Sequence, residues 1–152
     1  MTETSSASSE FLLSIHRQAF EEMSWRRNAG YRTIIIGFGY FTLLISLVAF
    51  NRAMPFNVRV FIAAVLALGA CFGASYLASN YYKYTAALKR MVLVEEHMGA
   101  YAPAYLGPLG ALLDERRKRA PEIPLSRNAI CIGSILAFLA GGLLTAGAIL
   151  MM

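Results

Sequence analysis

The chain has 152 residues, 57% of them hydrophobic and only 15% charged, with a net charge of +5 and two cysteines. A soluble domain carries about a quarter charged residues, and here the apolar residues collect in three long uncharged blocks rather than in helical or strand stripes. Disordered, collagen-like, disulfide-stapled secreted and ordinary cytosolic proteins do not fit. The composition is that of an integral membrane protein.

Residues 1–9, MTETSSASS, are small and polar and read as a disordered tail ending in a helix cap at Ser8 or Ser9. They lack the basic region of a cleavable signal, so the first membrane helix is expected to serve as its own insertion signal. From Glu10 to about residue 30, Leu12, Ile15, Ala19 and Met23 recur at three- and four-residue steps, with Phe11 and Phe20 widening the face. This pattern predicts an amphipathic helix over 10–30. Two uses are open: interfacial attachment, with Trp25 at headgroup depth and Arg26, Arg27 and Arg32 on lipid phosphates, or packing against another helix outside the membrane.

The first apolar block, Thr33 to Phe50, predicts a membrane helix over 31–50. A short connector, NRAMPFNVR, precedes the second block, Val60 to Ser79, expected as a helix over 57–79. About 20 residues of helix cross the roughly 30 Å hydrocarbon core. Barrel strands alternate lipid- and lumen-facing residues over about ten positions, and these blocks do not alternate. After Ser79 no Gly or Pro intervenes before Gly99, so the second helix is expected to continue through 80–99. Tyr76, Tyr81, Tyr82 and Tyr84 gather where it leaves the bilayer, as an aromatic belt does.

Residues 100–127 are broken by Pro103, Gly107, Pro108, Gly110, Pro121 and Pro124, leaving room for one short helix around Leu109 to Arg119. Its end, DERRKR, is a charge run whose Arg116, Arg117, Lys118 and Arg119 can lie against anionic lipid at about 1 kcal/mol per basic residue. No nucleic-acid-binding module surrounds it. The third block, Ala129 to Met151, predicts a membrane helix over 128–151.

Twelve of the 14 basic residues flank the blocks on one side, the exceptions being Arg52 and Arg59 in the connector. The positive-inside rule makes that side cytoplasmic and predicts a multi-pass protein of the inner or plasma membrane, N-terminus in and C-terminus out. The expected fold is all-α: three transmembrane helices, an N-terminal amphipathic helix and a cytoplasmic extension of the second helix.

Chemistry is sparse. Cys71 and Cys131 lie inside membrane blocks and show no metal or disulfide spacing. Glu95, Glu96 and His97 form the one compact ionisable cluster, but the positions a metal or an acid–base pair would need are occupied by Gly99 and its neighbours. Lys89 and Arg90 stand one to two turns away, and His16, Glu21 and Glu22 can join the cluster only through tertiary packing. No catalytic, cofactor or metal site is indicated. The blocks also lack the mid-bilayer charges of ion-coupled carriers.

Small residues are plentiful. Ala129, Gly133, Ala137, Gly141 and Thr145 follow at four-residue spacing, and Gly69 and Gly73 stand among alanines in the second block. Such rows let helix backbones approach closely, which drives association in lipid. Gly69, Gly73, Gly133, Ala137, Gly141 and Thr145 are therefore the expected contacts of a homo-oligomer, or of packing inside one chain.

WRRNAGYR at Trp25 to Arg32, the two blocks after it, and KRMVLVEEHMGAY at Lys89 to Tyr101 resemble SLATT-type effector domains of bacterial defence systems over about the first two thirds of the chain. The third block lies outside that two-helix pattern. The resemblance implies a non-enzymatic, oligomeric, membrane-perturbing or pore-forming protein controlled through its cytoplasmic helix. The second reading is an accessory or scaffold subunit of a larger membrane complex, and the third is a small carrier or channel.

Overall fold

The computed structural model describes residues 3–51, 53–102, 113 and 115–152, with side chains from residue 10 onward apart from that of 115. Every regular element among them is helical: α1 Glu3–Phe50, α2 Phe56–His97, α3 Glu115–Arg119 and α4 Ala129–Met151, with single 3-10 turns at Ala120–Glu122 and Leu125–Arg127. Of the short helix expected from Leu109 onward, the described part is α3; residues 103–112 and 114 lie outside the described residues.

Two boundaries differ from expectation. α1 begins at Glu3, so the stretch expected as a disordered tail is helical from there and neither Ser8 nor Ser9 starts it. A segment without Gly or Pro extends a helix nucleated downstream at a propensity cost of a few tenths of a kcal/mol per residue. The amphipathic helix and the first membrane helix are also one element. Gly30 alone costs about 1 kcal/mol, too little to interrupt a helix packed on both sides of it.

α2 starts after a turn in which Val58 and Arg59 donate backbone N–H groups to Pro55 O, and Arg59 Nε donates to Met54 O at 3.0 Å. It ends in a Schellman motif: Gly99 adopts a φ of 75°, Ala100 N donates to Glu95 O and Gly99 N to Glu96 O. α4 is capped by Asn128, whose side chain accepts from Cys131 N at 3.0 Å.

The chain forms two compact units: a polar unit, residues 1–27 and 82–127, and an apolar unit, residues 28–81 and 128–152. The three long helices are each long and apolar enough to cross a membrane. In the apolar unit large apolar side chains face outward, among them Ile35, Leu68, Phe72 and Ile130, the last 82% exposed. Water would penalise such a surface and lipid would not. The hydroxyls of Thr33, Thr42, Ser134 and Thr145 bond within their own helices, to Ala29 O, Phe38 O, Ile130 O and Gly141 O, so they tolerate an apolar surround.

The core of the apolar unit is built around Phe138 of α4, whose ring lies tilted 5.2 Å from that of Phe41 and edge-on 6.1 Å from that of Phe38. Gly37 of α1 and Gly73 of α2 form the two walls of its slot. A β-carbon at either would overlap the ring. Below it Gly142 lies against Ala70, and Leu66, Ala146 and Ile149 complete the buried set. The ring fits because the two helices on either side lack side chains there.

Candidate functional site

In the polar unit α1 and α2 pack antiparallel. Ala19 and Met23 of α1 meet Leu88, Met91 and Val92 of α2, with Tyr84, Tyr101 and Ala120 at the edge. The amphipathic face of α1 is thus used for helix packing. Its flanks remain open, with Phe11, Leu13, Phe20 and Trp25 each more than half exposed. At the end of this apolar seam, one helical turn beyond Met91, lies the carboxylate of Glu95, 4% exposed.

Every direction around that carboxylate is filled. Oε1 accepts from an Arg117 terminal nitrogen at 2.7 Å and lies 3.1 Å from His16 Nε2. Oε2 accepts from Tyr101 Oη at 2.7 Å and from Arg117 Nε at 3.1 Å. Because an ionised carboxylate only accepts, the His16 ring carries its proton on Nε2 in this contact. Arg117 engages both oxygens with the parallel fork that suits carboxylates best. Four parts of the chain meet here: α1, α2, the turn after Gly99 and α3.

Burial works against the charge on Glu95, but the bonds from Arg117, Tyr101 and His16 together outweigh it and hold the carboxyl below its ordinary range. Burial and the bond to Glu95 push the Tyr101 phenol up to about 12. The Glu95 bond raises Arg117 further above its already high value. The group is a neutralised ionic knot in which Glu95 has no lone pair left to serve as a base. Among the described residues no set of three His, Cys, Asp or Glu side chains gathers as a metal centre would.

Three further ion pairs brace the same surfaces. Arg90 reaches Glu22 at 2.6 Å, with Arg26 3.6 Å from the other oxygen, and Lys118 reaches Glu96 at 2.6 Å. Of the basic residues expected on lipid headgroups, Arg26, Arg117 and Lys118 thus hold carboxylates of their own chain, and Arg26 also lies over the Trp25 ring at 4.7 Å. Arg27, Arg32, Arg116 and Arg119 are exposed. The sequence cluster Glu95–Glu96–His97 divides around the helix, Glu95 inward and the other two outward. Pattern reading named His16, Glu22 and Arg90 as possible partners and missed Tyr101 and Arg117. Gly99 was the available signal, since its left-handed turn sends Tyr101 back beside Glu95, one turn before that glycine.

The small-residue positions separate in the apolar unit. Gly73 and Gly141 are occupied from within the chain, Gly73 by Phe138 and Gly141 by Phe38, whose Cε1 is 2.8 Å from where a β-carbon would stand. Thr145 is half-buried. Gly69 and Gly133 meet nothing within 4 Å, and Ala137 is exposed. The inward row of α4 is Phe138, Gly142, Ala146 and Ile149, one residue out of phase with the row at Gly133, Ala137 and Gly141. Beside Gly69 an apolar groove of about 340 Å³ opens, bounded by Thr33, Tyr40, Leu66 and Phe138. Comparison of the chain with family models, curated proteins and solved structures gives no match.

Proposed function

We propose that the chain is a non-enzymatic, homo-oligomeric membrane protein that perturbs the bilayer under control of its polar unit, with the N-terminus cytoplasmic and the C-terminus outside. The observation that carries this reading is the outward row of α4. The inward row, with Phe38 over Gly141, accounts for packing in the chain, while Gly133 and Ala137 stand exposed with no large side chain of their own. Lipid has no need of small residues; a second helix does. α2, one unbroken helix that contains both Gly69 and Glu95, supplies a means of coupling. The basic asymmetry supports the orientation, and the SLATT-like stretches point to the same class of activity.

Native mass measurement in mild detergent tests the reading, with Gly133→Leu and Ala137→Leu against the wild type. Both substitutions enter open space in the single chain, so the protomer should stay folded while the oligomer dissociates and liposome leakage stops. A wild type that is monomeric and leaks no ions would overturn the oligomer and the leakage together. The exposed Phe11, Leu13, Phe20 and Leu93 of the polar unit favour a second reading, an accessory subunit. There the same measurement should find a partner chain in place of a ring, and no leakage.

A further inference from the structure

We propose that the groove beside Gly69 is the seat of a second copy of this chain, which lays the outward row of its α4 along Tyr40. The inference rests on the homo-oligomer proposed above and adds which two faces meet. They are different faces of the apolar unit. Phe38 of α1 and Ala70 of α2 lie against Gly141 and Gly142 of α4. A helix turns about 100° per residue, so Gly69 points away from Ala70, and Tyr40 about 160° from Phe38. The groove of about 340 Å³, lined by Thr33, Ile36, Tyr40 and Gly69, therefore opens on the face turned from α4, with the Phe138 ring at its inner end.

Tyr40 identifies the occupant. It is 48% exposed, and its hydroxyl has no partner among the described residues. It stands ten residues before the end of α1 at Phe50, about 15 Å or half the hydrocarbon thickness. An unbonded hydroxyl at that depth is costly, because acyl chains offer no acceptor. A helix rich in small residues does. Gly133, Ala137 and Ala140 of α4 are exposed and have no large side chain to cover the main-chain carbonyls beside them. Each such carbonyl keeps a second lone pair after its helical bond. The level matches as well. Contacts between α1 and α4 climb in one order, Gly37 with Phe138, Phe38 with Gly141 and Phe41 with Gly142, so Tyr40 and Ala140 lie at about the same height. Copies related by rotation about the membrane normal keep that height, and Tyr40 of one meets the Ala137–Ala140 stretch of the next. Because the two faces differ, the contact runs head to tail and closes as a ring.

The test is disulfide trapping of the full-length protein in membranes, with Cys71→Ala and Cys131→Ala as background. Gly69→Cys and Ala140→Cys in one chain should give a ladder of covalent dimers, trimers and higher species, and either cysteine alone should give none. A β-carbon at Gly69 meets nothing within 4 Å and Ala140 is exposed, so both changes leave the protomer folded. Tyr40→Phe in the otherwise unaltered chain should raise the dissociation constant of the oligomer about threefold to tenfold, read by native mass measurement in mild detergent. Dimers from either single cysteine would establish a two-fold contact between like faces, overturning the head-to-tail pairing while the oligomer stands. An oligomer that gives no ladder, or is indifferent to Tyr40→Phe, puts the contact elsewhere and also overturns it. A lipid adduct on a monomer that disappears in Tyr40→Phe gives the groove to a lipid instead. A monomeric wild type without a ladder removes this inference and the homo-oligomer together.

Discussion

Arg117→Met removes the cation from the buried Glu95 while keeping an unbranched apolar stem. Breaking a buried pair from one side costs about 3–5 kcal/mol, because a charge is left without its partner. Two features of this site lower that figure. The Arg117 side chain is 40% exposed, so water can replace part of it, and Tyr101 and His16 keep their bonds to the carboxylate. A loss of about 2 kcal/mol is therefore expected. Since 1.4 kcal/mol corresponds to a tenfold change, amide exchange at the end of α2, from Met91 to Glu96, should quicken about 30-fold. Hydrogen exchange read by mass spectrometry on the nanodisc-embedded protein gives this directly. Glu95→Gln combined with Arg117→Met should recover most of the protection, because no buried charge then remains. Exchange within about threefold of wild type in the single variant, or equal loss in the double variant, would refute the account of Glu95 as a charge that needs its cation.

The same carboxylate sets a pH dependence. Its folded pKa is depressed, so its contribution is fully present above the ordinary value of 4.5 and is lost as pH falls through the lowered folded value; protection of the α1–α2 seam should decline only in that acid range, and Glu95→Gln should abolish that decline. At the alkaline end Tyr101, raised to about 12 from 10.0, favours folding below pH 10 and ceases to do so between those values; a late phenolate transition in an absorbance titration should vanish in Tyr101→Phe. In the apolar unit Gly73→Ala drives a methyl into the Phe138 ring and should lower thermal stability by about 1–3 kcal/mol, whereas Gly69→Ala, which meets open space, should leave it unchanged. Ala53→Cys should label from outside intact cells and Glu115→Cys should not; the opposite pattern would reverse the orientation.

The three apolar helices were legible in the sequence because a run of uncharged residues long enough to cross a bilayer is a property of composition and length, independent of what surrounds it. The stop at Gly99 was local too, decided by the chemistry of one residue and its nearest backbone groups; the cap at Asn128 is equally local but was not read from the sequence. The start of α1 and its passage through Gly30 were not local, since helix propagation beyond a marginal segment depends on packing elsewhere. Phase was the other thing the pattern left open. Small residues stand in both of two rows one residue apart on α4, and only the arrival of the Phe138 ring between Gly37 and Gly73 decided that Gly142 and Ala146 face inward and Gly133 outward. Nor can a charge run announce its partner. Arg116, Arg117, Lys118 and Arg119 are alike as letters, yet the turn at Gly99 and the antiparallel pairing of α1 with α2 place Glu95 within reach of one guanidinium among them. The energy of that contact comes from desolvation, which exists only once the carboxylate is buried.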